Sequence, residues 1–114
     1  MQEAGRTDEQ DKYIEAADLF REAVSKDPEY ADAFFYLGFL FEHGLGVELD
    51  NKTALNYYQK AANLDHPKGW IKVGSCYATG SGTNKNLKTA EEAYINAARL
   101  QDTEAMNLLG YFLF

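Results

Sequence analysis

Apolar side chains recur at intervals of three and four residues through most of the chain. Residues spaced in this way share one face of an α-helix, whereas alternation by two is typical of a β-strand. The first two groups are Phe34, Leu37 and Phe41, followed by Ala54, Tyr58 and Ala61. The pattern predicts amphipathic helices, and no strand pattern competes with them.

Turn and cap residues divide this pattern into six predicted helices. Gly44 and Gly80 suit the left-handed conformation that ends a helix, and Asp50 and Asn86 are good N-caps for the helices that follow. The predicted helices cover about 11–26, 30–43, 51–64, 67–79, 87–100 and 103–114.

The chain also repeats itself with a period of 36 residues. This shift places Leu37-Gly38 on Val73-Gly74, Phe41 on Tyr77, Gly44 and Gly46 on Gly80 and Gly82, Asp50 on Asn86, Ala54 on Ala90, Tyr58 on Tyr94, and Ala61-Ala62 on Ala97-Ala98. A second shift of 36 carries Val73-Gly74 onto Leu109-Gly110, so a third unit begins near the C-terminus. Helix pairs repeated at such a period stack on their neighbours to bury their apolar sides. The expected fold is all-α, with antiparallel helix pairs in a right-handed superhelical solenoid.

Two of the repeated strings match a known repeat. The string LGFLFEHGLGVELDNKTALNYYQKAA at 37–62 resembles the Sel-one-like repeat of the tetratricopeptide repeat superfamily, whose pattern is LGxxYxxGxGVxxDxxKAxxYYxKAA. The string VGSCYATGSGTNKNLKTAEEAYINAA at 73–98 resembles it less closely. The segment 16–38, with its Asp27-Pro28, instead resembles a boundary between two plain tetratricopeptide repeats. Its spacing agrees, since eleven residues separate Ala23 from Phe34.

This assignment predicts the domain organisation. Residues 1–10 have almost no apolar content and are expected to be flexible, and residues 11–114 are expected to form one solenoid domain. The expected units are 11–29 as helix B of a plain repeat, 30–65 as repeat 1, 66–101 as repeat 2, and 102–114 as helix A of an incomplete repeat 3.

The resemblance implies a non-catalytic scaffold without a cofactor, in which the first helix (A) of each pair lines a concave groove that holds a peptide or protein. The groove-facing positions would be Asp32, Phe35, Tyr36, Phe39 and Glu42, then Lys68, Ile71, Lys72, Ser75 and Thr79, then Asn107 and Tyr111. The expected partner contacts among them are Phe35, Tyr36, Phe39, Ile71, Lys72, Asn107 and Tyr111.

Phe35 and Phe39 are the most informative of these residues, because Phe34, Leu37 and Phe41 already supply the core face of their helix. Three explanations for the two extra rings are open: a groove that captures an apolar peptide, a permanent interface inside a larger assembly, or burial under neighbouring helices of the same solenoid.

Composition and charge narrow the function classes. The 114 residues contain 18 acids and 11 bases, a net charge of -7, which argues against nucleic acid as a partner. No membrane-spanning stretch or signal peptide is visible, and the lone Cys76 closes no intrachain disulfide. These features favour a cytoplasmic compartment without establishing one. Lys68, Lys72 and Lys88 suit either an acidic partner or ordinary surface charge.

Each side chain or loop that could take part in catalysis or ligand binding also has a structural role that would explain its presence. We expect Cys76 to pack in the core, Glu91 and Glu92 to face solvent, and His43 and His66 to lie at helix ends. GSGTNK at 80–85 follows a helix and is expected to form a capping loop rather than a phosphate site. Neither a nucleophile with a base nor a cofactor motif is visible, so we do not expect an enzyme.

The segment MNLLGYFLF at 106–114 presents an apolar helix A without its helix B. This predicts truncation from a longer chain, self-association or docking of another chain there. The expected function is a protein-interaction scaffold or adaptor, and the alternative is a structural or regulatory subunit docked in a larger assembly.

Overall fold

The computed structural model describes residues 7–100, which contain helices and no strand. The helices are α1 (Asp8–Lys26), α2 (Ala31–His43), α3 (Asn51–Asn63), α4 (Pro67–Thr79) and α5 (Leu87–Leu100). None of these five is both long enough and apolar enough to span a bilayer. The sixth predicted helix, at 103–114, lies outside the described residues.

Each helix packs mainly on its neighbours in sequence. Contacts are most extensive within the pairs α2–α3 and α4–α5, while α3–α4 joins the pairs and α1 packs on α2. Residues 7–100 therefore form an all-α solenoid in which helix α1 precedes the two pairs α2–α3 and α4–α5. In each pair α2 or α4 is helix A, and α3 or α5 is helix B.

The 36-residue period is visible in the backbone hydrogen bonds of the A–B loops. The Asp50 N–H donates to the Phe41 carbonyl at 3.0 Å, and the Asn86 N–H donates to the Tyr77 carbonyl at 2.8 Å. The Asp50 side chain accepts from the N–H groups at the start of α3, and Asn86 accepts from the Thr89 N–H in the same way. The predicted N-caps are thereby confirmed.

Helix α1 begins earlier than the sequence pattern predicted, at Asp8 rather than about residue 11. Thr7 accepts from the Gln10 N–H at 3.1 Å, and the Gln10 side chain accepts from the Thr7 N–H at 2.8 Å. This capping box satisfies two backbone donors and extends the helix into the segment that was expected to be flexible. Helix α1 reaches 19 residues, whereas α3 has 13.

The A–B loop of each repeat rests on the B helix of the preceding one. Gly46 has a φ of +73° and lies against the Tyr13 backbone, and Gly82 has a φ of +76° and lies against the Asn51 backbone. Tyr13 and Asn51 are 38 residues apart, two more than the period, because the spacing from Ala23 to Phe34 is eleven residues whereas that from Ala61 to Trp70 is nine. Position n of α1 is thus equivalent to position n + 38 of α3.

The core combines small and large residues between paired helices. Leu37 and Tyr58 are fully buried, and the Tyr58 ring lies against Gly38, where an added Cβ would come within 2.7 Å of the ring. Gly74 faces Tyr94 in the same way in the second pair. A residue without a side chain at each crossing lets the paired helices approach closely.

Candidate functional site

Side-chain contacts link the A helices α2 and α4, and we call the positions that the family resemblance implies for the groove the groove surface. Its residues are Asp32, Phe35, Tyr36, Phe39 and Glu42 of α2, and Lys68, Ile71, Lys72, Ser75 and Thr79 of α4. Asp32 Oδ1 lies 2.7 Å from His66 Nε2 at one end, and Glu42 Oε1 lies 3.3 Å from Lys72 Nζ at the other. These two contacts place the α2 and α4 stripes next to each other.

Glu42 is the centre of a polar cluster at one end of this surface. Its Oε1 accepts a 2.5 Å hydrogen bond from the Tyr58 hydroxyl and a 3.3 Å hydrogen bond from Lys72 Nζ. His43 Nε2 lies 3.6 Å away, and Lys72 Nζ lies 5.8 Å from the centre of the Tyr58 ring. The cluster connects α2, α3 and α4 through one carboxylate.

The contacts within this cluster change the pKa values of Glu42 and Tyr58. Burial by itself would raise the pKa of Glu42, but the Tyr58 hydrogen bond and the nearby Lys72 ammonium outweigh it and hold this pKa below the ordinary 4.5. Burial, and then the Glu42 hydrogen bond and charge, raise the pKa of the Tyr58 hydroxyl above its ordinary value of 10.0. At neutral pH Tyr58 is therefore a neutral donor to an ionised Glu42.

His66 organises the opposite end of the groove surface. It is the N-cap of α4, and its Nδ1 accepts from the Gly69 N–H at 3.2 Å. This bond assigns the neutral-ring proton to Nε2, which donates to Asp32. The ring stacks on Phe35, with centroids 4.9 Å apart and an interplanar angle of 7°. The expected position of His66 at a helix end is confirmed.

A shallow depression of about 330 Å³ lies beside this cap. It is lined by Asp32, Phe35, Tyr36, His66, Pro67 and Lys68, which belong to α2 and to the start of α4. The depression combines an aromatic floor with charged groups at its edge. Such a surface offers shape and hydrogen bonding to a bound side chain.

The two extra phenylalanines occupy different environments. Phe35 is half-buried against the core, with its ring between His66 and Tyr58, whose centroid is 5.5 Å away. Its packing corresponds to burial under neighbouring helices of the solenoid. Phe39 is 37% exposed and touches the His43 ring at 4.5 Å.

The remaining expected contacts divide into exposed, paired and undescribed residues. Tyr36 is 48% and Ile71 38% exposed, and the Tyr36 ring stacks on Phe20 at 5.4 Å. Lys72 is engaged by Glu42, which favours a structural role for its charge. Asn107 and Tyr111 lie outside the described residues.

The potentially reactive side chains of residues 7–100 lie where packing or solvent exposure explains them. Cys76 is buried, and this burial, reinforced by the nearby Glu42 charge, raises the pKa of its thiol. Glu91 and Glu92 face solvent as expected. Within the same range no three His, Cys, Asp or Glu side chains cluster in a way that could hold a metal ion.

Two features were missed by sequence reasoning. The first is the hydrogen bond from Tyr58 to Glu42. Its one signal in the sequence is that a tyrosine at a buried position usually needs a hydrogen-bond partner for its hydroxyl group. The second is a cavity of about 600 Å³ between the start of α1 and the first A–B loop, lined in part by Gln10, Tyr13 and Val47. The Thr-x-x-Gln capping pattern before α1 signals the helix extension that forms one wall of this cavity.

Comparison with known proteins identifies the repeat. The family model described as the Sel1 repeat matches residues 31–66, 71–102 and 103–114. The first match covers α2 and α3, the second covers α4 from Ile71 onwards and α5, and the third lies outside the described residues.

Two curated relatives match parts of the chain. One is chitin synthase regulatory factor 2 of Schizosaccharomyces pombe, 29% identical over 107 residues, or 90% of this chain and 21% of the relative. The other is HRD3B, a component of an ERAD-associated E3 ubiquitin-protein ligase of Arabidopsis thaliana, 38% identical over 55 residues, or 47% of this chain and 9% of the relative. The chain thus spans about a fifth or less of the length of these relatives.

Three solved structures share the fold. A Sel1 repeat protein of Oxalobacter formigenes has a TM-score of 0.74 and 33% identity over 87% of this chain and 40% of its own. The protective antigen c5321 of uropathogenic Escherichia coli, which has an SLR fold, has a TM-score of 0.75 and 27% identity over 87% of this chain and 21% of its own. Cysteine-rich protein B of Helicobacter pylori has a TM-score of 0.67 and 25% identity over 92% of this chain and 99% of its own. The expected repeat solenoid is confirmed.

Proposed function

Because the chain belongs to the Sel1 repeat family, we propose that it holds a partner protein or peptide on the groove surface. Proteins of this family are generally protein-interaction scaffolds, and the repeat fold itself is non-catalytic. The proposal concerns the mode of binding, in which the partner contacts the A helices α2 and α4. Its mechanism is recognition without a chemical step.

The exposed apolar side chains of the A helices are the observation that carries this proposal. Tyr36, Phe39 and Ile71 are 48%, 37% and 38% exposed, although all three project from helices whose core faces are filled by other residues. Aromatic and aliphatic side chains of this kind are frequent anchors of binding energy when a partner covers them. Phe35 supports the floor beneath them rather than acting as an anchor.

The rigidity of the surface supports the same mode of binding. The Glu42 cluster and the His66 cap fix the spacing of α2 and α4 at both ends of the groove surface. An anchor on a fixed helix loses little conformational freedom when it is covered. We therefore expect a partner segment that lays apolar side chains across Phe39 and Ile71 and uses Asp32 or Lys68 for polar contacts.

Affinity capture from a native extract of the source cells tests the proposal. The bait is the chain itself, compared with the double variant Phe39→Asp, Ile71→Asp and with the control variant Leu49→Asp, Leu87→Asp. Leu49 and Leu87 are 57% and 62% exposed and lie away from the groove surface, so the control introduces the same charge elsewhere. Circular dichroism checks that all three baits keep their helicity.

We expect mass spectrometry to find a stoichiometric partner on the chain and on the control variant but not on the groove variant. Crosslinks from that partner should fall on α2 and α4. A partner that the groove variant retains, or that both variants lose equally, would contradict binding on the groove surface.

A fixed regulatory or structural subunit is the second candidate function. The names of the two curated relatives favour it, since one is a regulatory factor and the other a component of a ligase. Under this function the partner remains bound through purification in constant proportion. A chain that purifies from its native source without a constant companion would argue against the second candidate.

A further inference from the structure

Lys72 shows how the groove surface holds a cation at one of its ends. Its Nζ lies 3.3 Å from Glu42 Oε1 and 5.8 Å from the centre of the Tyr58 ring. One ammonium thus meets a carboxylate and an aromatic ring at once, and both attract it. The cation, the acid and the ring of this group all belong to the chain itself.

The opposite end of the groove surface presents an acid and aromatic rings without a cation between them. Asp32, Phe35 and Tyr36 line the depression beside the His66 cap. Within residues 7–100 no lysine or arginine forms an ion pair with Asp32, and none lies over the ring of Phe35 or Tyr36. This end therefore has the acid and the rings of the Lys72 group but not its cation.

The carboxylate of Asp32 is held in place and keeps its negative charge. His66 Nε2 donates to Asp32 Oδ1 at 2.7 Å. Because His66 Nδ1 accepts from the Gly69 N–H, the His66 ring carries a single proton and is neutral. The Asp32 side chain is 65% exposed, so a second donor can reach it. The depression thus contains an anionic acceptor in a fixed position.

The ring of Tyr36 is also held in place. It stacks on Phe20 with centroids 5.4 Å apart and an interplanar angle of 20°, and it packs against the Phe35 ring at 5.5 Å and 77°. Tyr36 is nevertheless 48% exposed. Phe20 covers one face of the ring, and the exposed remainder is available to a partner. The face of an aromatic ring attracts a cation.

We propose that the depression binds an arginine side chain of the partner, whose guanidinium pairs with Asp32 and stacks on the ring of Tyr36. Arginine suits both contacts, because its planar guanidinium stacks on aromatic faces and donates several N–H groups to a carboxylate, whereas the ammonium of lysine is compact and strongly hydrated. The net charge of -7 also favours a basic partner over an acidic one.

This inference rests on the proposed function, since the depression lies at one end of the groove surface. It adds the chemistry of one partner residue to the apolar contacts at Phe39 and Ile71. The partner segment then presents an arginine to one end of the groove surface and apolar side chains to the rest.

Lys68 is the group of this lining whose charge opposes a cation. It lines the same depression, its side chain is exposed, and no ion pair holds it within residues 7–100. It can therefore turn towards solvent when the depression is filled. Its charge weakens the binding of a cation and would strengthen the binding of an acid. Replacing Lys68 thus has opposite effects for the two kinds of ligand.

NMR titration of the isotope-labelled 114-residue chain with N-acetyl-arginine amide tests the proposal. N-acetyl-citrulline amide is the matched control ligand, because citrulline has the shape of arginine without its charge, and N-acetyl-glutamate amide is the acidic ligand. The main reporter is the backbone amide of Gly69, which donates to the ring that orients Asp32. Each ligand is added to about 50 mM at constant ionic strength, because a single side chain binds weakly.

Four variants are titrated beside the chain. Asp32→Asn removes the charge but keeps an oxygen that can accept from His66. Tyr36→Leu removes the ring, and Lys68→Gln removes the opposing charge. Glu92→Gln is the control, because it removes one negative charge from an exposed position on the B helix α5. Circular dichroism checks that every variant keeps its helicity.

We expect the arginine ligand to shift the Gly69 signal in a saturable way and the citrulline ligand to leave it nearly unchanged. Asp32→Asn and Tyr36→Leu should each raise the dissociation constant at least about threefold, since each removes one of the two contacts. Lys68→Gln should lower the constant about twofold, and Glu92→Gln should not change it.

Several outcomes would overturn the proposal. They are no saturable shift with the arginine ligand, equal shifts with arginine and citrulline, and a dissociation constant that Asp32→Asn leaves unchanged. Tighter binding of the glutamate ligand, lost in Lys68→Gln, would assign the depression to an acidic side chain instead.

The affinity capture described above distinguishes this failure from failure of the proposed function. A captured partner that depends on Phe39 and Ile71, together with no binding of the arginine ligand, would contradict the inference and leave the proposed function in place. Binding of the arginine ligand, together with a partner that the groove variant retains, would contradict the proposed function and leave a cation site in the depression.

Discussion

The hydroxyl of Tyr58 on α3 donates a 2.5 Å hydrogen bond to Oε1 of Glu42 on α2. The same oxygen accepts from Lys72 on α4, 3.3 Å away, so a single carboxylate joins a helix pair to the next repeat. Tyr58 is fully buried, and its hydroxyl has little access to water as an alternative partner. The stability of the repeat and the geometry of the groove surface therefore depend on the same bond.

Removing this bond should destabilise the solenoid. Tyr58→Phe keeps the ring but leaves Glu42 with one donor fewer, and a hydrogen bond to a charged group is worth about 2 kcal/mol. We expect the free energy of unfolding in urea to fall by about that amount. Tyr57→Phe is the control and should change stability by less than about 0.5 kcal/mol, because no hydrogen bond of the Tyr57 hydroxyl is seen within residues 7–100. Equal effects of the two variants would contradict this role of Glu42.

The lowered pKa of Glu42 predicts an acid-dependent loss of stability. Folding favours the ionised carboxylate, so its contribution is complete above the ordinary pKa of 4.5 and is lost as the pH falls through the lower folded value. In urea titrations between pH 7 and pH 3, the stability difference between the chain and Glu42→Gln should be largest near neutrality and shrink below about pH 4.5.

The Glu42→Gln variant should still lose stability in acid. The hydrogen bonds that the Thr53 backbone and hydroxyl donate to Asp50, with a smaller one from the Lys52 backbone, lower the pKa of Asp50 and are unaffected by the substitution. The informative quantity is therefore the difference between the two curves. A difference that stays constant from pH 7 to pH 3 would show that Glu42 does not carry the effect.

The two helix crossings should differ in their tolerance of a methyl group. A Cβ at Gly38 would lie 2.7 Å from the ring of Tyr58, which is fully buried, and a Cβ at Gly74 would lie 2.8 Å from the ring of Tyr94, which is 40% exposed. The Tyr94 ring has space to move, whereas the Tyr58 ring does not. Alanine also favours a helix over glycine by about 1 kcal/mol. We expect Gly38→Ala to cost about 1–3 kcal/mol and Gly74→Ala to be nearly neutral in thermal and urea unfolding.

The thiol of Cys76 should be unreactive in the folded chain. Burial is the main reason that its pKa is raised, and it also blocks access to the sulfur. We expect a disulfide reagent such as DTNB to modify the native chain only at the rate of unfolding, and to modify the chain in 6 M guanidinium at once. Rapid labelling under native conditions would show that the α4–α5 pair opens without global unfolding.

The elements of the fold were largely predictable from local sequence. The limits predicted for α4 and α5 agree with the structure, because Pro67 starts one helix, Gly80 ends it, and Asn86 caps the next. The predicted start of α1 was wrong, because the capping box of Thr7 and Gln10 begins the helix in a segment that has almost no apolar residues.

The groove surface was predictable in outline but not in detail. Family positions identified Tyr36, Phe39 and Ile71, which are exposed on the A helices. The environment of Phe35 was not predictable, because the ring that covers it belongs to His66, 31 residues further along the chain. For the same reason, no residue near Lys72 in the sequence indicates that its ammonium group forms an ion pair with Glu42.

By itself, the sequence determined the helices, their loops and their period of 36 residues, because apolar spacing, capping and left-handed glycines are properties of residues a few positions apart. Tertiary structure alone decided that Phe35 is covered while Phe39 stays open, and that Tyr58 and Lys72 share Glu42. Exposure and pairing depend on the distance and rotation between packed helices. The distance and rotation between helices are set by how side chains from different repeats pack together. They cannot be read from the spacing of residues within one helix.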